Sequence, residues 1–219
     1  MWHLILAGPP GSGKSTQGQQ LAEEWSLVNL STGQMLRDEV ARGTAMGQEA
    51  ARYMAQGQLV PPELANTLMR ETLTKMRDRG FILDGYPRSI PQAEALDQIL
   101  RDLSLSLDAA VLVDVAEEMA VARLASRLVC LSCRRGYAEA ELAPNETTCR
   151  ACGGQLVRRN DDDPAVVRER FKVYHAEMKP VLEHYEEQGL LVVVDGNGTQ
   201  AEVFERLKAA LLARRMAQV

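Results

Sequence analysis

LILAGPPGSGKST, residues 4–16, is the stretch whose reading decides the fold. Four apolar residues, Leu4 to Ala7, run without pause into the pattern G-x-x-x-x-G-K-[ST], from Gly8 to Ser15. The backbone of such a segment must turn tightly so that its N–H groups point inward at an anion. Gly8, Gly11 and Gly13 permit backbone angles and close approaches that a side chain would block. Lys14 then reaches β- and γ-phosphates, and a helix beginning near Ser15 adds the positive end of its dipole. An ordinary glycine-rich strand-to-helix turn shares this composition, but the full spacing directly after a strand points to phosphate binding. Which phosphate compound is bound, and for which reaction, the loop alone leaves open.

The rest of the chain sets bounds. At 219 residues it is long enough for one large domain, or a core with insertions, with a substantial interior. A hydrophobic fraction of 46% and a charged fraction of 25% are those of an ordinary globular chain. The formal charge of −5 supplies no global basic field, so neither nucleic acid nor an anionic membrane is an expected partner. No apolar stretch approaches the roughly 20 residues that span a bilayer. The run Met1–Ala7 is too short for a signal peptide, and the expected location is the cytoplasm. In that setting four cysteines read as metal ligands before disulfides.

Further apolar β-type runs recur at Phe81–Leu83, Ala110–Val113 and Leu191–Val194, with a poorly marked one near Val28–Asn29. Helical patterning lies between them, at Ser15–Glu24, Pro62–Arg79, Ile90–Leu103 and Glu117–Leu128. A final amphipathic helix is expected over Ala201–Arg215, its Met and Leu residues in the core. Short unbroken apolar strands alternating with helices predict an α/β fold, a parallel sheet with its ligand site at the strand carboxyl ends. Two segments interrupt the alternation. Ser31–Val60 is helix-rich with glycine breaks, and Cys130–Asp163 holds every cysteine.

Cys130-x2-Cys133 and Cys149-x2-Cys152 are separated by 15 residues, a spacing that lets each pair grip one face of a tetrahedral Zn²⁺. Four thiolates leave no open coordination position, so such a zinc is structural; free buried thiols or two disulfides are the alternatives. Asp84 ends the apolar run Phe81–Leu83, where a carboxylate can hold Mg²⁺ and its waters, although Asp-Gly is equally a turn signal. Arg123 and Arg127 are four apart on an expected helix and project from one face. Arg158, Arg159 and Arg170 follow the last cysteine. Singly each arginine is a solvated charge; grouped on both flanks of an insertion they suit a transferring phosphoryl group. His3, His175 and His184 form no metal or triad pattern and read as surface or packing residues. There is no Ser-His-Asp or Cys-His system either, which fits an acceptor whose attacking oxygen is already anionic.

With these residues in view the chain resembles the adenylate kinase family over essentially its whole length. The landmarks are GPPGSGKST at 8–16, STGQMLR at 31–37, GQLV at 57–60, DGYPRSIPQ at 84–92, Arg123 with Arg127, the four-cysteine segment, RNDD at 159–162 and Arg170. The form resembled is the bacterial long-lid type with a zinc-binding lid. The resemblance implies a P-loop parallel-sheet core (1–30, 61–127 and 164–219), an inserted helical AMP lobe (31–60) and a small β-rich zinc lid (128–163). It implies the reaction Mg·ATP + AMP ⇌ 2 ADP in a monomer, with structural zinc. ATP would lie among Gly11, Ser12, Gly13, Lys14, Ser15, Thr16, Arg123, Arg127 and Gly198. AMP would lie among Thr32, Arg37, Gln58, Leu59, Val60, Gly85, Arg88, Gln92, Arg159 and Arg170. Lys14, Arg88, Arg123, Arg159 and Arg170 would act on the phosphoryl in transfer, with Asp84 organising Mg²⁺ and Asp161 and Asp162 beside the arginines.

Two positions depart from the family pattern. The loop has Gly13-Lys14-Ser15-Thr16 where the family usually has Gly-Lys-Gly-Thr, and Gln58 stands where many members carry lysine. Ser15 offers Mg²⁺ a hydroxyl that the family normally lacks. A UMP/CMP kinase on the same scaffold is the nearest rival, disfavoured by Thr32 and Gln92. A nucleic-acid-binding protein using the zinc segment is disfavoured by the acidic balance. A silent nucleotide sensor is disfavoured by the full set of cations.

Overall fold

The protein is described by a computed structural model over residues 1–217. Five strands run parallel: β1 (His3–Ala7), β2 (Val28–Ser31), β3 (Phe81–Asp84), β4 (Ala109–Asp114) and, after three lid strands, β8 (Leu191–Asp195), in the order β2-β3-β1-β4-β8. Every residue of β1 and β3 is buried, which is why the runs Leu4–Ala7 and Phe81–Leu83 within them are continuously apolar. The two faces are nevertheless distinct, because successive side chains alternate. Leu4 and Leu6, with Ile82 and Val111, pack on Leu21 of α1 (Lys14–Trp25) and on Leu207 and Leu211 of α8 (Gln200–Ala217). Ile5 and Ala7, with Phe81 and Leu83, face Met69 of α4 (Pro62–Lys75), Leu96 of α5 (Ile90–Asp102) and Met178 and Tyr185 of α7 (Pro164–Glu187).

Between β2 and α4 sit two short helices, α2 (Thr32–Arg42) and α3 (Ala45–Met54), joined at Gly43 and Thr44. The Thr44 side chain accepts from the Gly47 amide and caps α3. The cysteine segment forms a separate antiparallel sheet of β5 (Arg127–Cys130), β6 (Gly136–Ala138) and β7 (Leu156–Val157), ordered β6-β5-β7.

Four expectations need correction. Helix α6 (Glu117–Ala125) stops before Leu128: the Ser126 hydroxyl donates back to the Ala122 and Arg123 carbonyls, and Arg127 opens strand β5. Arg123 and Arg127 therefore do not share a helix face. Helix α4 ends at Lys75 rather than Arg79, because Met76 leaves the helical region at φ −126°. In α8, Leu207 and Leu211 are core, but Leu212 and Met216 are exposed, 51% and 80%. The long helix α7 has no counterpart among the expected elements, although Asp163 caps its first turn and Pro164 begins it.

The register sets Asp84 opposite Leu6 of β1 and Ser31 of β2, at the carboxyl edge of the sheet. Because β1 lies between β3 and β4, the loop after β1 opens where strand order reverses, the place at which open α/β sheets bind ligands.

Candidate active site

The loop from Gly8 to Gly13 is held by close backbone packing. A Cβ on Gly11, whose φ is +83°, would lie 2.3 Å from the Ala120 carbonyl oxygen, so only glycine fits between loop and α6. The Ser12 amide donates to the Pro9 carbonyl at 3.1 Å, and the Lys14 ammonium donates to the same oxygen at 3.1 Å. Helix α1 begins at Lys14 with Gly13 as its N-cap and no side chain capping it. Its first-turn amides therefore face the cavity in front of the loop.

That cavity has a volume of about 410 Å³. Gly11, Ser12, Gly13, Lys14, Ser15 and Thr16 form one wall, and Gly198 with Gln200 and Val203 forms another. Lys14, Arg37, Arg88, Arg123, Arg127, Arg159 and Arg170 all line it, with Asp84 at its floor. A smaller adjoining cavity of about 90 Å³ is lined by Thr32, Arg37, Gln58, Leu59, Val60, Gly85 and Gln92, and shares Arg88, Arg159 and Arg170 with the larger one. The structure thus brings the residues expected around ATP and AMP, with Asp84 and Asp161, into two joined spaces with a cationic seam between them, while Arg158 lies outside, paired with Glu139, and Asp162 lines neither space.

The cations are held by what surrounds them. Arg127 makes a two-pronged pair with Asp162, at 2.9 and 2.5 Å. Arg159 pairs in the same way with Asp161. Arg170, carried by α7, reaches the Asp161 carbonyl at 2.9 Å and both carboxylates at 3.3 and 3.4 Å. Arg123 turns its guanidinium onto the carbonyls of Ser12, Gly196 and Gly198, tying the loop after β1 to the loop after β8. Arg88 donates to the Gly85 carbonyl at 2.7 Å, while its own amide donates to the Gln92 side-chain oxygen at 2.8 Å.

The electrostatic balance favours an anion. Burial pushes Lys14 down to about 7; Asp84 opposes that, and Arg88, Arg170 and Arg127 add to it. Burial likewise lowers Arg37, Arg88 and Arg170, with neighbouring arginines contributing in each case. Guanidinium groups stay charged at any ordinary pH. Burial disfavours the Asp161 carboxylate, but Arg159, Arg170 and Arg37 together outweigh it and hold the group well below the usual range. Among the residues lining the two cavities, four buried oxygens are without hydrogen-bond partners: Ser12 Oγ, Gln17 Oε1, Thr32 Oγ1 and Asp84 Oδ2. An unpaired carboxylate oxygen on the cavity floor suits a hydrated divalent cation, so Asp84 fits Mg²⁺.

In the lid the Sγ atoms of Cys130, Cys133, Cys149 and Cys152 all lie within 4.8 Å of one another, and none forms a disulfide. Cys130 lies 3.5 Å from Cys152 and Cys133 lies 3.5 Å from Cys149, close to the edge of a tetrahedron with Zn–S bonds of about 2.3 Å. The amides of Ser132 and Cys133 turn toward Cys130 Sγ, as expected of a thiolate knuckle. A Cβ on Gly154 would lie 2.9 Å from both Cys130 Sγ and Ser132 Cβ, so glycine lets the second knuckle approach the first. The donor set fits zinc.

The sequence reading missed some of the lining. Gly136, Tyr137, Ala138 and Glu141 of the lid, and Thr199 and Gln200 at the start of α8, face the larger cavity. The only sequence signal for the second group is the turn Asp195-Gly-Asn-Gly198; for the first there is none. His3 is a packing residue, stacked on Phe81 at 4.5 Å. His175 and His184 pair with Glu117 and Asp97 on the helix surfaces.

A family model described as adenylate kinase matches residues 6–190. The chain is 43% identical to an adenylate kinase of Petrotoga mobilis over 93% of its own length and 94% of the relative's. It is 41% identical to adenylate kinases of Syntrophomonas wolfei and Archaeoglobus fulgidus, in each case over 95% of its length and at least 97% of the relative's.

Proposed function

The chain belongs to the adenylate kinase family of nucleoside monophosphate kinases, and on that premise we propose that it moves the γ-phosphoryl group of Mg·ATP to AMP, reversibly, giving two ADP. The observation that carries this reading is the pair of unequal cavities joined along Arg88, Arg159 and Arg170. The larger takes ATP against the loop Gly11–Thr16, with Arg123, Arg127 and Gly198 around it. The smaller takes AMP, its phosphate on Arg37 and Arg88 and its base toward Thr32, Gln92 and the Gln58–Val60 backbone.

A phosphate oxygen of AMP attacks the γ-phosphorus; the new P–O bond forms as the bond to the β-phosphate oxygen breaks, and that oxygen leaves with the electron pair on ADP. The attacking oxygen is already ionised, so no general base is needed. Lys14, Arg88, Arg123, Arg159 and Arg170 compensate charge spread over the moving group. Asp84 and the Ser15 hydroxyl would hold hydrated Mg²⁺, which would supply further charge neutralisation. The core (1–30, 61–127, 164–219), the AMP lobe (31–60) and the zinc lid (128–163) close on one another to exclude water, the competing acceptor. No helix among the described residues is long and apolar enough to cross a membrane. The reading is completed by a monomer in the cytoplasm that binds neither nucleic acid nor membrane.

A coupled assay with ATP and each nucleoside monophosphate tests the acceptor directly. Thr32→Ala and Gln92→Ala are expected to cut the preference for AMP over other monophosphates about tenfold each, with KM for ATP nearly unchanged. Thr32 Oγ1 has no partner among the described residues, and the Gln92 oxygen is already taken by the Arg88 amide, which leaves a hydroxyl and an amide NH₂ for the base. Unchanged preference in both variants would show that the base is read elsewhere.

Nucleotide binding is also expected to take up a proton. Burial lowers Lys14 to about 7 in the free protein, and a triphosphate beside it restores its charge. Apparent ATP affinity is therefore highest below pH 7 and weakens as pH rises through 7 to 9. Calorimetry at pH 8 in buffers of different ionisation heat measures the uptake directly; a buffer-independent heat would remove Lys14 from the phosphate contacts. The same lowering makes the free protein gain stability as pH rises from 7 toward 10, because the unfolded chain then holds the proton more strongly.

A further inference from the structure

Arg37 lines both cavities, yet it is the one guanidinium of the cluster whose position is set by a neutral side chain. Its Nε and Nη2 both donate to Gln34 Oε1 at 3.2 Å. The other end of that amide, Nε2, donates to Asp38 Oδ1 at 2.7 Å. The same carboxylate oxygen accepts from Arg134 Nη2 at 3.2 Å. Arg134 belongs to the lid, where its amide closes the first cysteine knuckle on the Cys130 carbonyl at 3.1 Å. Four side chains therefore run without a break from the metal knuckle to the anion site.

The order of groups gives this chain a direction. An amide has one acceptor end and one donor end. As long as Asp38 takes the NH₂ of Gln34, the carbonyl oxygen must face Arg37. That oxygen supports a guanidinium disfavoured by burial and by Arg159, Arg127 and Arg88, against which Asp161 is the opposing charge. Asp38 and Arg134 are both partly exposed, 43% and 45% at the side chain, so their pair, which links α2 to the lid, is weak by itself.

We propose that Gln34 and Asp38 are positioning residues through which the seated lid orients Arg37 for the acceptor phosphate, so that closure over the donor nucleotide tightens acceptor binding. This rests on the reading of the two cavities as donor and acceptor sites. Coupling of this kind is reciprocal: a bound acceptor favours the seated lid by the same factor.

The test is steady-state kinetics together with binding of the acceptor in the presence of a non-hydrolysable ATP analogue. Gln34→Ala, Asp38→Ala and Arg134→Ala are each expected to raise KM for AMP about three- to tenfold, with kcat within about twofold of wild type. Arg134→Ala adds nothing in a Gln34→Ala background. Without the analogue, Arg134→Ala leaves AMP affinity unchanged while Gln34→Ala still weakens it. The charge exchange Asp38→Arg with Arg134→Asp separates the relay from a simple latch. It restores attraction between lid and α2 but turns the Gln34 NH₂ toward Arg37, so KM for AMP stays high. Recovery of wild-type KM in the exchanged pair, or an unchanged KM in Arg134→Ala, overturns the relay. An error in the acceptor assignment shows instead as failure of the wild type with AMP, and the variants are then compared on the monophosphate that the wild type does use.

Discussion

Lys14→Ala is expected to lower kcat by about two to three orders of magnitude, the usual cost of losing a fixed donor to charge that develops in the transition state. The thermal midpoint should stay level or rise. That combination follows from the site's energetics. The ammonium donates to the Pro9 carbonyl and sits among Arg88, Arg127 and Arg170, so the empty protein holds it against both burial and repulsion. Removing it relieves the folded state while depriving the phosphates of their nearest mobile charge. Turnover by coupled assay and Tm by scanning calorimetry, on the same preparation, separate the two effects. Near-normal turnover would show that the loop cradles something other than the reacting phosphates.

The second large effect concerns the cysteine cluster. The buried apolar core of the lid consists of Cys130, Cys149 and Leu156, with Leu128, Tyr137 and Leu142 partly covered beside them. A core of that size does not hold a small sheet together by itself, so metal binding energy becomes folding energy. Metal analysis should find about one zinc per chain. Chelation or Cys149→Ser should lower or split the thermal transition by about 10 °C or more, the lid melting first and the parallel sheet surviving. Activity at low temperature should fall less steeply than stability, because four thiolates leave no coordination position for substrate. Loss of chemistry in a metal-free protein that retains a folded lid would give the metal a direct part in the reaction. Absence of metal with the thiols paired as disulfides would remove the site.

What could be read from the sequence is what local geometry encodes. The loop after β1 was legible because glycine spacing states a backbone path, and the knuckles because thiol spacing states a coordination shell. Asp84 was legible as the end of an apolar run, though only the register against Leu6 and Ser31 brings it to the loop. Arg127 was misplaced because the residues around it have good helical patterning. The competing influence is tertiary: the lid sheet needs a first strand, and Ser126 ends the helix to supply it. Helix α7 went unmarked because its dense charges blur its apolar stripe, although Val167, Phe171, Met178, Val181 and Tyr185 are all buried along it. The contacts among Gln34, Asp38 and Arg134 lie outside any local rule, since they exist only once two separate insertions meet.

The pairing of Asp161 and Asp162 with Arg127, Arg159 and Arg170 has a consequence for discrimination among anions. A cluster of bare guanidinium groups would bind any phosphate or sulfate in the cell and remain clogged. Here each of those arginines already has a carboxylate, so an incoming anion must compete with an internal one for the same charge. For a small inorganic ion the exchange is close to even, one negative charge for another. A nucleotide also brings a base and a ribose, and the free energy of seating them tips the exchange. The two aspartates thus act as a threshold that charge alone does not cross.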